Sequence, residues 1–108
     1  MSRYEPSVYQ VAHQDEIARV RLENSLAGYI MHCDVYQWDK EAKLHIGRIL
    51  DKLKAKLHKE GVPYILAIIP QADPKNQKFA RLFGFKKYGL YPLQMNRGVE
   101  EVWVVKTY

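Results

Sequence analysis

The sequence predicts an α/β or α+β sandwich, and three stretches carry that expectation. In residues 40–61, Ala42, Ile46, Ile49, Leu50, Leu53 and Leu57 recur three or four apart. That spacing makes one apolar stripe on a helix whose other side is wet and basic. Gly61 stands at a C-cap position, and Val62-Pro63 discourages continuation. Next comes Tyr64-Ile65-Leu66-Ala67-Ile68-Ile69-Pro70, an apolar run with the length of a buried strand. In residues 99–108, Val102 and Val104 alternate with Trp103 and Val105. A strand apolar on both sides belongs inside a sheet or under a helix.

Residues 1–108, with 47% apolar content, suffice for one compact domain and one core. Cys33 is the only cysteine, so no internal disulfide framework exists, which suits a reducing cytoplasm. No leading apolar segment reads as a signal peptide and no stretch reaches the length of a membrane span. The net charge is +5, from 17 Lys and Arg against 12 Asp and Glu. Lys40, Lys43, Arg48, Lys52, Lys54, Lys56 and Lys59 concentrate it on the central helix. Such a field either solubilises the helix back or attracts an anionic partner. No zinc-finger spacing or Arg-rich tail accompanies it, so nucleic acid is the least favoured partner.

From the N-terminus, residues 1–7 read as an irregular start, and Val8, Tyr9 and Val11 as a short strand. Residues 13–16 look like a helix start, with Ile17 and Val20 on an apolar side and Gly28 as terminator. Residues 29–38 form a strand with Ile30, His32, Asp34 and Tyr36 on one face and Met31, Cys33, Val35 and Gln37 on the other. Asp39 can cap the central helix, although residues 38–41 suit a loop equally well. Asp73-Pro74 starts a short helix with Phe79, Leu82 and Phe83 on its apolar side, ended by Gly84. Residues 85–91 form a strand broken by Pro92, and Asn96-Arg97-Gly98 is a turn. The expected order is βαβαβαββ.

Residues 38–90 resemble the C-terminal half of the GCN5-related N-acetyltransferase (GNAT) family. The likeness lies in Lys43-Leu44-His45-Ile46-Gly47-Arg48-Ile49-Leu50 as the turn into a long helix, in the strand at 64–70, and in the segment from Asp73 to Gly84-Phe85. It implies an acyl-CoA N-acyltransferase-like fold, with a mixed, mostly antiparallel sheet and helices on both faces. It implies acetyl-CoA as cofactor and transfer of acetyl to an amine. The CoA diphosphate would sit on free amides at the start of the 43–59 helix, as helix N-termini allow. Gln37, Lys43, His45, Ile46, Gly47, Arg48 and Asp73 are the cofactor-binding residues that the resemblance marks. The sequence departs from the family with Ala42 for Arg or Gln, His45 for Gly, Ala80 for Tyr and Asp73 for Asn. The imidazole of His45 could obstruct the diphosphate or donate to it.

On the strand before that turn, Asp34 and His32 share a face and suit a general base or water relay. Alternatively, they are a surface-paired carboxylate and a hydrogen-bonded histidine. Tyr88 or Tyr91 would replace the acid missing at Ala80; Tyr88 is taken first. No metal site is expected, because His13, His32, His45 and His58 lie on separate elements without HExxH or Cys-His spacing. A non-catalytic protein on the same scaffold, binding a second copy or another protein, is the alternative to the enzyme. A basic nucleic-acid module is the third.

Overall fold

The computed structural model describes residues 9–91 and 99–108. Its elements run β1 (Tyr9–Gln14), β2 (Ala18–Ser25), β3 (Gly28–Val35), α1 (Lys40–Lys59), β4 (Tyr64–Pro70), α2 (Pro74–Leu82), β5 (Lys86–Tyr91) and β6 (Glu100–Lys106). The strands form one sheet in the order β1-β2-β3-β4-β6-β5. Every neighbouring pair is antiparallel except β3 and β4. The expectations for residues 1–8, Pro92 and the 96–98 turn lie outside the described residues.

The helix expected after residue 13 is a strand, so the order is βββαβαββ. Ala18, Val20 and Leu22 are buried while Arg19, Arg21 and Glu23 are half-buried on the other side, a period of two rather than 3.6. Asp15 makes the turn into β2: its Oδ1 accepts from the amides of Ile17 and Ala18 at 2.8 and 2.9 Å. This is the local bond by which Asp favours turns over helix interiors. Gly28 terminates no helix; it opens β3 opposite Ser25 in the β2–β3 hairpin.

α1 begins at Lys40, where the expected Asp39 cap places it and three residues before the start at 43 that the resemblance implied; Asp39 Oδ1 accepts from the Ala42 amide at 2.8 Å. Both helices stop in the same way. Val62 and Gly61 donate to Leu57 and His58 at 2.8 and 3.0 Å, and Phe85 and Gly84 to Ala80 and Arg81 at 2.9 and 3.1 Å. Gly61 and Gly84 take φ of +85° and +91°, the left-handed step this paired bond needs.

The anticipated stripe of α1 is its buried face, and Ile46 has no exposure at all. It packs on Ala18, Val20, Leu22, Met31, Ile65, Ala67, Trp103 and Val105, together with Ala80 and Phe85. Phe79 of α2 and Phe83 at its C-cap join the same core. Helices were expected on both faces; the two described ones share one. The opposite face carries Arg19, Arg21, Glu23, His32 and Asp34 on β2–β3, and Ile30, Leu66, Ile68, Val102 and Val104 nearer the middle.

Candidate functional site

β3 and β4 pair through only two positions, Tyr29 with Ile65 and Ile30 with Leu66. Beyond them β3 runs to Val35 and β4 to Pro70 without a shared ladder. The strands part toward the end where the chain leaves β3 for α1. Four residues at that mouth form two pairs. Gln37 Nε2 donates to Asp39 Oδ2 at 3.1 Å, and Lys43 Nζ lies 5.4 Å from the centroid of Trp38. Trp38 in turn stacks toward Phe79 of α2 and Phe83 at its C-cap, at 5.5 and 6.5 Å. The Ala42 amide, then Gln37, hold the Asp39 carboxyl below its usual range.

The expected anion seat needs correction. His45, Ile46, Gly47 and Arg48 lie inside α1, so their amides belong to the helical ladder and are not free. The helix begins directly after its Asp39 cap, so its exposed first turn lies at residues 40–42. The Ile46 side chain is core. Gly47 faces α2, where an added Cβ would stand 3.8 Å from Phe83 Cε1. Arg48 is exposed along a groove beside β1. Asp73 caps α2, accepting from the Asn76 amide at 3.1 Å and its Nδ2 at 2.7 Å.

Asp34 and His32 stand together on the face of β3 opposite α1. Asp34 Oδ2 lies 3.6 Å from Arg21 Nη2, and His32 Nε2 is 2.9 Å from Glu23 Oε1. The Cys33 thiol faces the core, where burial, helped by the charge of Asp34, pushes its pKa up to about 11. Tyr88 is not brought to them: it is exposed on edge strand β5, with β6 and β4 between it and the parting strands.

One cluster escaped the sequence reading. His13 Nε2 and His45 Nε2 both meet Asp15 Oδ2, at 2.7 and 2.6 Å. These bonds, His13 first, hold the Asp15 carboxyl far below its ordinary value. The residues come from the end of β1, the turn after it and α1, and Asp15 and His45 are 30 positions apart. Only the short His13-Gln14-Asp15 spacing was visible in the chain.

No protein-family model and no curated protein matches this sequence. Solved structures do. An acetyltransferase of the GNAT family from Bacillus anthracis superposes with a TM-score of 0.64 at 10% identity, over 84% of this chain and 58% of its own. The chain has a GNAT-like fold. A ribosomal-protein-S5-alanine acetyltransferase from Vibrio fischeri gives 0.62 at 16% identity, over 84% and 54%. Mycobacterium smegmatis RimJ, solved in complex with CoA-disulfide, gives 0.61 at 13%, over 83% and 47%. The GNAT-like chain thus spans about half the length of these neighbours, and the likeness is one of fold. Among its described residues no helix is long and apolar enough to cross a membrane.

Proposed function

We propose that this GNAT-like chain is a small cytoplasmic N-acetyltransferase that takes acetyl-CoA and an amine. The observation that carries the reading is the parting of β3 and β4 after two paired positions. Strands that part leave backbone N–H and C=O groups without ladder partners, and those groups can hold a thioester and the oxygen on which charge develops. Acetyl-CoA supplies the activated acyl group. Lys40 and Lys43 would bring positive charge to its diphosphate at the α1 mouth. Asp34 or His32, on the acceptor side, would receive the amine proton.

Part of this corner fits poorly. The Asp39 carboxylate occupies the helix amides that an anion would use, and it repels one. That observation favours a second reading, a non-catalytic scaffold that binds a partner. Calorimetric titration of the unaltered protein and Asp39→Ser with acetyl-CoA separates the two. Serine keeps a capping oxygen and removes the charge. The enzyme reading expects saturable binding, about two- to fivefold tighter in Asp39→Ser. No heat and no thermal shift at millimolar acetyl-CoA in either protein would sink it in favour of the scaffold.

A further inference from the structure

We propose that His13, Asp15 and His45 form a binding site for a divalent transition-metal ion of the Zn²⁺ or Co²⁺ kind. The site does not depend on the acetyl-transfer reading: it is built on the β1–β2 turn, whose Ala18 pairs with Val35 at the end of β3, and on α1.

Three features point to it. The first is the donor set. Two imidazole nitrogens and one carboxylate oxygen lie within 4.8 Å of one another. Imidazole suits zinc and its neighbours, and three protein donors leave a coordination position open. The second is orientation. The Asp15 carboxylate is held by the Ile17 and Ala18 amides at Oδ1, so Oδ2 is the oxygen presented to both histidines. A ligand carboxylate fixed through its other oxygen is the support that metal sites use. The third is access. The side chains are 33%, 28% and 35% exposed for His13, Asp15 and His45. His13 and His45 line a groove of about 410 Å³ between β1 and α1.

The nitrogens now lie at hydrogen-bonding distance from Asp15 Oδ2. A tetrahedral ion with bonds of about 2.0–2.2 Å needs them about 0.7 Å farther away. Side chains one-third exposed can move that far without disturbing the core. The bound imidazoles would coordinate through unprotonated Nε2 and carry their proton on Nδ1. Arg48 and Lys52 line the same groove. Their charge disfavours a bare cation but suits an anionic ligand or hydroxide at the open position.

The test is titration of the chelator-treated full chain with Co²⁺, read by visible absorption, followed by displacement with Zn²⁺. The expected result is saturation at one equivalent, with affinity falling at least tenfold in His45→Gln and unchanged in His58→Gln. In the unaltered protein, Zn²⁺ should shift the imidazole ¹⁵N resonances of His13 and His45 and leave His58 in place. That readout stands even where His45→Gln fails to fold. The proposal is overturned by absence of saturable Co²⁺ binding, by equal affinity in a folded His45→Gln, or by shifts confined to other histidines. Asp15 would then be a hydrogen-bonded clamp alone.

Discussion

Gly28 shows how one residue can be legible in kind and misread in role. A glycine at that point marks a break, and the sequence placed a helix end there. The break is instead a hairpin with Leu26 and Ala27 between paired Ser25 and Gly28. No described non-glycine residue has positive φ, so Gly28 alone in this turn takes it, at +128°. An added Cβ would also come within 3.2 Å of Tyr64 Cε1, on a ring whose hydroxyl donates to the Ala27 carbonyl at 2.9 Å. Gly28→Ala should therefore cost about 1–3 kcal/mol, mostly as backbone strain. Urea unfolding measures it, and an unchanged midpoint would contradict the account. The site residues divide similarly. Ile46 and Gly47 carried a motif's spacing, but spacing alone does not say whether a helix has already begun. Asp39 decided that, through a single side-chain bond.

Among the elements, α1, β4 and α2 were readable because each has a clean period or a strong cap. β2 was not. Its alternation of Ala18, Val20 and Leu22 with Arg19, Arg21 and Glu23 is clear, yet long polar side chains suit a helix surface equally well. Only the antiparallel partners on both sides decide for the strand. The link between this hairpin and α1 was invisible for another reason: Asp15 meets His45 only once the chain has folded. That link has a pH signature. Asp15 is depressed in the folded state, so its contribution is present above its ordinary pKa and fades as pH falls. Asp15→Asn keeps an oxygen for the turn but loses the acceptor that the histidines share. Measured in chelator, Asp15→Asn should melt below the unaltered protein at neutral pH. The gap should narrow as pH drops from about 5 toward 2. A gap that widens in acid would refute the assignment.

The whole molecule joins two antiparallel sheets, β1-β2-β3 and β4-β6-β5, through a two-pair parallel seam. So short a ladder cannot hold them in one fold, and the parting that defines the candidate site makes it weaker still. The splice is α1. Leu50 sits over the seam, with Met31 of β3 on one side and Ile65 of β4 and Val105 of β6 on the other; Phe83 and Phe85 close the cluster. Ile49, Leu53 and Leu57 reach back toward Leu22 and Tyr29. One helix therefore buries both halves in one core, and unfolding should be cooperative despite the gap between strands. Leu50→Ala should cost about 2–5 kcal/mol, a large share of a typical domain's stability. It should also lower hydrogen-exchange protection of β2 and β6 amides by the same free energy, because neither half keeps its core without the helix. Loss confined to β4–β6, with β1–β3 still protected, would show two separable units and remove α1 from this role.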